Sequence, residues 1–391
     1  MYGAATTWRR HCYATGSARR RRLTRPVVSV GNLRVGGSGK TPIAEYVARL
    51  LLNEGHRPAI LTRGYARRVP ADGVTVVSDG VNVTAALDRA GDEPLMLARS
   101  LPGVGIFVGA DRYLCGCLAE RRFGATVHVL DDGFQHLQLA RDVDLLLASE
   151  EDLTDRPLPA GRLRERLQSA RAADAVLVTA GYDSAADRVG RALAVDTVFR
   201  VTRTIGAPRE IGGGRESVVV PPGAPVFIVA GIARPDRFIA DADAAGWEVA
   251  GLLTFRDHHP YDARDVARIA AAAKAAAAAI VLTTEKDAVR LAVCDLGDMP
   301  IASVPLRVGV EPAEKFRAWL LARLSRGAST DASVGAPKRS ASAALDEVNV
   351  APHGAPPPAR TDADTEPRSA MSSARCGRRR SLAPASRRGQ S

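Results

Sequence analysis

Gly36-Gly37-Ser38-Gly39-Lys40-Thr41 has the residue types and spacing needed to hold the phosphates of a nucleoside triphosphate. Glycines let backbone N–H groups curl around phosphate oxygens without Cβ clashes. In such a loop the lysine, Lys40, reaches the β- and γ-phosphates, and the Thr41 hydroxyl binds Mg²⁺. The pattern G-x-x-x-x-G-K-S/T asks for glycine at position 34, where this chain has Arg34. A chance glycine turn is the plain alternative. The β-branched run Pro26–Val30 before the loop and the helical apolar spacing of Ile43, Tyr46, Val47, Leu50 and Leu51 after it favour the phosphate cradle.

A second constellation is Val127-His128-Val129-Leu130-Asp131-Asp132-Gly133-Phe134-Gln135-His136. An apolar strand ending in acids delivers a carboxylate to the edge of a sheet, where a phosphate-bound Mg²⁺ sits. Three further segments leave two readings open each, and a fourth leaves one. Gly91-Asp92-Glu93-Pro94 is either an acidic site or a helix cap. Arg164 and Glu165, in Leu158–Glu165, either bind phosphate and metal or form a loop salt bridge. Asp257-His258-His259 holds either a base or a solvated pair. Thr283–Val289 has Lys286 and Asp287 adjacent, which is the wrong spacing for a guanine-reading N-K-x-D loop.

The elements that must position these residues alternate between strand and helix. Strands are expected at Pro26–Val30, Ala59–Thr62, Gly105–Val108, Thr126–Leu130, Val143–Leu147 and Ala175–Thr179. Helices are expected at Thr41–Leu52 and Asp111–Arg121. That alternation predicts an α/β fold, a P-loop NTPase-type mainly parallel sheet with helices on both faces. The signal weakens over Arg200–Pro222, where a hinge is expected. A second, smaller α/β unit follows: strand Val226–Ala230, helices Asp236–Ala245 and Ala263–Ala279, strand Ile280–Thr283 and a helix over Glu314–Leu324. The expected domains are a basic, irregular segment 1–25, a core 26–215, a smaller domain 216–325 and a disordered tail 326–391.

Of the 391 residues 46% are hydrophobic, ample for a large core, and the five cysteines lack a zinc spacing. They read as ordinary thiols. The net charge of +11 lies largely at the two ends, where arginines crowd residues 9–25 and 375–388. Such ends suit anionic surfaces, or are simply solvated. Aromatics are only 5%, and they are not interleaved with the basic residues, which argues against nucleic acid as partner. No run approaches the ~18 apolar residues of a membrane span, and no apolar segment resembles a secretory signal.

Taken in order, these segments resemble the tetraacyldisaccharide 4′-kinase (lipid A 4′-kinase) family. Its pattern V-G-N-L-x-V-G-G-S/T-G-K-T-P stands here as Val30–Pro42. Its S-R-G-Y, G-D-E and V-G-x-D-R stand as Thr62–Tyr65, Gly91–Glu93 and Val108–Arg112. Its D-D-G-x-Q-H and L-P-A-G-x-L-R-E stand as Asp131–His136 and Leu158–Glu165. Its A-G-I, D-H-x and T-E-K-D-A-V stand as Ala230–Ile232, Asp257–His259 and Thr284–Val289. The resemblance covers about residues 25–325, and the family too has a residue other than glycine at the position of Arg34.

The resemblance implies transfer of the ATP γ-phosphate to the 4′-hydroxyl of a tetraacylated glucosamine disaccharide 1-phosphate, giving lipid IVA. It implies an Asp–His base, falling on Asp92 and His258, with the imidazole supplied by the second domain. It implies Mg²⁺ at Thr41, Asp131, Asp132 and Glu165, and a monomer peripheral on the cytoplasmic face of the inner membrane. Two departures stand out. Family members often begin with an apolar helix, whereas this chain begins with a basic segment, so either the start lies upstream or arginines and an apolar patch do the anchoring. The family's L-R-E-P ends here in Arg166. The rival reading, a GTPase or metallochaperone-type switch protein, needs the base-reading motif that is missing.

Overall fold

Two sheets arise from the strand-forming runs. The computed structural model describes residues 2–329 apart from 38, 66, 68, 70–72, 180–182 and 212–216. Ser38, the glycines of the expected hinge at 212–214 and the expected tail from residue 330 on lie outside the described residues. The strands are β1 (Val27–Asn32), β2 (Pro58–Thr62), β3 (Thr75–Asp79), β4 (Gly105–Val108), β5 (Val127–Asp131), β6 (Val143–Ala148) and β7 (Ala175–Thr179). They continue as β8 (Val198–Ile205), β9 (Arg209–Glu210), β10 (Pro225–Ala230), β11 (Glu248–Thr254), β12 (Ile280–Thr284), β13 (Ile301–Val304) and β14 (Leu306–Glu311). The helices are α1 (Tyr2–Ala14), α2 (Lys40–Asn53), α3 (Leu87–Ala90), α4 (Asp92–Ser100), α5 (Arg112–Leu118) and α6 (Glu150–Thr154). After these come α7 (Asp183–Leu193), α8 (Pro235–Ala244), α9 (Ala263–Ala275), α10 (Glu285–Leu291) and α11 (Ala313–Ser329).

The larger sheet has nine strands in the order β14-β8-β7-β6-β1-β5-β2-β4-β3. Only its edge pairs, β14 with β8 and β3 with β4, are antiparallel. Every residue of β1, β5 and β6 is buried, as strands covered on both faces must be. The smaller sheet has the order β11-β10-β12-β13-β9 and is parallel except for β9. Both sheets belong to one compact unit. The chain leaves the larger sheet after β8, builds the smaller one, and returns as β14 and α11. Phe316 of α11 is fully buried in the same core as Val47 and Leu51 of α2, its ring 6.1 Å from Tyr46 and 5.1 Å from Phe199.

Three departures from the sequence reading have physical causes. The first residues are not irregular: α1 is a helix despite lacking clear amphipathic spacing, held by tertiary contacts through Arg9 and Arg10. The segment read as a weak, hinge-like stretch overlaps β8, whose residues are mostly only partly buried, as suits a strand near the sheet edge. Helix α9 starts at a capping box of Asp262 and Asp265 but stops at Ala275, short of Ala279. There Ala277 turns to φ +49° and the N–H of Ala279 donates to Pro225, so the entry into β12 overrides alanine's helix preference.

Candidate active site

In a parallel sheet the carboxyl ends of the strands gather loops on one edge. β1 runs into the glycine loop, and its neighbour β5 sets Asp131 beside Val30. β2, on the other side of β5, ends in Thr62, ahead of Arg63 and Tyr65. β4 ends near Arg112. The smaller sheet turns its carboxyl ends to the same place: β10 leads to Gly231, β11 to His258 and β12 to Lys286. Between them lies a cleft of about 920 Å³ lined by Lys40, Thr41, Asp131, His258 and Lys286 among others.

On the larger sheet's side, Gly39 caps α2 at φ +84°, a conformation that a side chain would strain. Lys40 donates to Asn32 Oδ1 at 3.2 Å and lies 3.6 Å from Asp132 Oδ1. Burial depresses its pKa, while Asp132 opposes that shift and Arg164 adds to it. Arg164 clamps Asp132 through two bonds of 3.0 and 2.7 Å. Burial would raise the Asp132 carboxyl, but Arg164 and Lys40 outweigh it and hold the group low. The loop carrying Arg164 is itself tied to the glycine loop, Val35 N–H donating to Arg162 O at 2.9 Å.

Asp131 differs from its neighbour. It is buried and accepts from the Thr41 hydroxyl at 3.2 Å. Burial, together with the carboxylates of Glu93 and Asp132, pushes it up to about 7. A carboxylate so poorly compensated, beside a hydroxyl oxygen, is a hard-oxygen donor set that fits Mg²⁺. No cluster of three or more His, Cys, Asp or Glu metal ligands exists among the described residues. Glu165, also expected at the metal, does not line the cleft: it is buried and both its oxygens are bound by Arg10 at 2.8 and 3.0 Å. Its neighbour Arg164, by contrast, lines the cleft.

From the smaller sheet's side His258 lines the cleft, and its Nδ1 donates at 2.9 Å to Asp92, buried at the start of α4. Burial would raise the Asp92 carboxyl, yet the hydrogen bond from His258 and the charges of Lys286 and Arg290 hold it low. His258 has φ +59°, uncommon for a side-chain-bearing residue, and its ring sits 5.4 Å from the exposed ring of Tyr65. His259 points elsewhere and pairs with Asp265 at 2.7 Å. Two further residues had no role assigned from the sequence. Lys286 Nζ lies 3.1 Å from each of Glu93, Asp257 and His258 Nε2. Arg290, also buried, lies 3.7 Å from Asp92 and donates to Asp287 at 2.6 Å.

Asp287 is fully buried and accepts from Gly231 N–H, the Tyr261 hydroxyl and the Thr284 hydroxyl besides Arg290. A Cβ on Gly231 would fall 2.8 Å from the Asp287 carboxylate and 2.9 Å from the Tyr261 oxygen, so only glycine fits there. With all these partners Asp287 is not available to read a nucleotide base, which removes the last feature suggesting a switch protein.

The family model for tetraacyldisaccharide-1-P 4′-kinase matches residues 1–325. The tetraacyldisaccharide 4′-kinase of Geobacter metallireducens is 41% identical over 293 residues, 74% of this chain and 86% of that one. That of Anaeromyxobacter dehalogenans is 41% identical over 300 residues, 74% and 79% of the two chains. The crystal structure of LpxK from Aquifex aeolicus in complex with ATP superposes with a TM-score of 0.66 at 31% identity, covering 83% of this chain and 96% of that one. Sheet order, phosphate loop and a match along nearly the whole described chain lead to one assignment: this chain is a member of the tetraacyldisaccharide-1-P 4′-kinase family.

Proposed function

We propose that the chain transfers the γ-phosphate of ATP to the 4′-hydroxyl of a tetraacylated glucosamine disaccharide 1-phosphate, forming lipid IVA. The observation that carries this reading is the contact of buried Asp92 with His258, which lines the same cleft as Lys40 and Asp131. A sugar hydroxyl is a weak nucleophile and needs a base as the new P–O bond forms. His258 Nε2 takes the hydroxyl proton while the oxygen attacks the γ-phosphorus and the bond to ADP breaks. Asp92 holds the ring by accepting from Nδ1 and stabilises the imidazolium that results. Gly36, Gly37, Ser38 and Gly39 cradle the triphosphate, and Lys40 offsets its charge. Mg²⁺ would be held by Thr41 and Asp131, with Asp132 beside them, and would neutralise the β- and γ-oxygens. We assign Glu165 to anchoring α1.

All these groups come from one chain, which supports action as a monomer. We also infer a position at the anionic cytoplasmic face of the inner membrane. Trp8 of α1 is 70% exposed, Arg19, Arg20, Arg21 and Arg22 are exposed nearby, and indole and guanidinium groups suit such a surface. No described helix is long and apolar enough to cross a membrane. Flotation with anionic but not neutral vesicles tests this placement.

The reaction is tested by following radiolabelled γ-phosphate from ATP onto the disaccharide 1-phosphate. Lys40→Ala should abolish transfer. Asp92→Ala and His258→Ala should each lower turnover by about 100-fold or more, the scale of general-base catalysis. Wild-type turnover in either variant removes that residue from the mechanism, and preference for GTP over ATP removes the kinase reading.

A further inference from the structure

One buried cation of the cleft has no part in the scheme above. Lys286, at the first turn of α10, has three donors and three partners, each at 3.1 Å: Glu93 Oε1, Asp257 Oδ1 and His258 Nε2. Its side chain is 16% exposed. Burial would lower its pKa, but Glu93, Asp92 and Asp257 outweigh burial and raise it, so the ammonium stays charged.

The geometry sets the tautomer of His258 from both sides. Asp92, ionised, can only accept, so Nδ1 carries a proton. Lys286, charged, can only donate, so Nε2 must offer its lone pair. The surrounding charges explain why a cation is needed. Asp92 from α4 touches the ring, and Asp257 Oδ2, preceding it in the chain, lies 3.8 Å from Nε2. Glu93 reaches the same corner through Lys286. Asp88 shares a second cavity with the ring, Arg290 stands behind Asp92, and the remaining neighbours, Tyr65 and Tyr261, are neutral phenols. Acidic groups crowded around an imidazole favour imidazolium, and imidazolium cannot accept a proton.

We infer that Lys286 is a positioning residue that keeps His258 Nε2 unprotonated until the acceptor hydroxyl replaces it there. This rests on His258 being the base. When the hydroxyl arrives, the ammonium gives up one hydrogen bond and keeps two, those to Glu93 and Asp257. It loses no proton: the hydroxyl proton goes to Nε2, the oxygen bonds to phosphorus, and ADP leaves.

The test is the pH dependence of kcat/KM for phosphate transfer by full-length wild-type, Lys286→Met, Lys286→Gln and Lys286→Arg proteins, with His258→Ala as reference. Lys286→Met should move the acid limb upward by about 1–2 pH units, the shift expected when a charge beside a titrating group is removed. Activity should fall at least about tenfold at pH 6.5 and recover at alkaline pH. Lys286→Gln keeps a donor without the charge and should shift similarly. Lys286→Arg should restore most of the wild-type profile. Nitrogen NMR of ring-labelled histidine gives a readout independent of turnover: Nε2 should be unprotonated in the wild type and protonated at neutral pH in Lys286→Met. Unaltered ATP binding shows that a variant is folded. An acid limb that stays in place in a folded Lys286→Met, or an unchanged Nε2 signal, overturns the inference. If His258→Ala instead keeps full activity, it is the base assignment that fails.

Discussion

Replacing Asp287 by asparagine tests how the smaller sheet's loops are held against α4. The substitution preserves shape but removes charge, and it points an NH₂ at donors. Asp287 accepts from four groups, the Gly231 N–H, the Tyr261 and Thr284 hydroxyls and the Arg290 guanidinium, at 2.6 to 3.1 Å. A hydrogen bond to a charged group is worth about 1.5–3 kcal/mol. Multiplying by four overshoots, because asparagine's oxygen keeps some of these bonds. The better guide is the partner left behind: breaking a buried ion pair costs about 3–5 kcal/mol because the other charge stays buried. Arg290 would retain the carbonyls of Gly231 and His259, and Asp92 at 3.7 Å would take part of the charge. The low end, about 3 kcal/mol, is therefore expected. Urea unfolding reports it, since Trp247 lies in the smaller sheet's core and Trp319 packs on α11's side of the larger one. Arg290 drawn towards Asp92 should also lower turnover, while ATP affinity stays unchanged. A loss below about 1 kcal/mol would refute the reasoning, because it would mean that Arg290 was never dependent on Asp287.

Other outcomes follow from groups already described. Arg10→Met strands the buried Glu165 carboxylate and removes a guanidinium stacked 4.5 Å from the Phe134 ring. It should cost about 3 kcal/mol, mostly recovered in the double variant with Glu165→Gln, as a denaturation cycle would show. Burial and the charge of Arg112 depress His136 to about 4, below the ~6.5 of an unfolded histidine. Between these values the unfolded chain binds the extra proton, so stability due to this ring is lost as pH falls from about 6.5 to about 4. Asp131, raised to about 7, acts with the opposite sign over much of that window, so the difference between wild type and His136→Gln is the quantity to measure. Burial pushes the Cys115 thiol up to about 12. Alkylation of the folded protein at pH 8 should therefore spare buried Cys115 and label half-buried Cys12 first.

The parts of this site legible in the sequence were those delivered by strands. β1 and β5 are neighbouring, wholly buried strands, so the glycine loop that follows β1 and Asp131 at the end of β5 meet at one sheet edge. The pairing of Asp92 with His258 came only from family resemblance. The two lie 166 positions apart, and no periodicity links a helix start to a loop on another sheet. Lys286 and Arg290 were missed for a related reason. Lys286 stood in a motif with no role to read from its spacing and Arg290 lay outside any motif, and only the meeting of α4 with α10 buries them. Edge strands were missed too. β3 and β14 show mixed exposure, which blurs the alternation a sequence reading depends on. Glu165 shows the limit of motif reasoning. Its carboxylate is bound by an arginine from a helix that spacing did not reveal.

The return of the chain from the smaller sheet to β14 has a consequence for folding order. β8 and β14 pair side by side, with Ile205 opposite Leu306, and Gly206 N–H donates to Pro305 O at 2.8 Å beyond them. The inserted sheet thus begins and ends within one strand spacing. Closing a loose loop of about 100 residues costs entropy that grows with the logarithm of its length. An insertion that folds first brings its own ends together and removes most of that cost before β14 docks. The larger sheet would then be the last to complete, its final strand and α11 waiting on a module made of later residues than its own first eight strands. A protein permuted to start at β9 and end at β8 should separate the two events, with the smaller sheet protected early and β14 protected late.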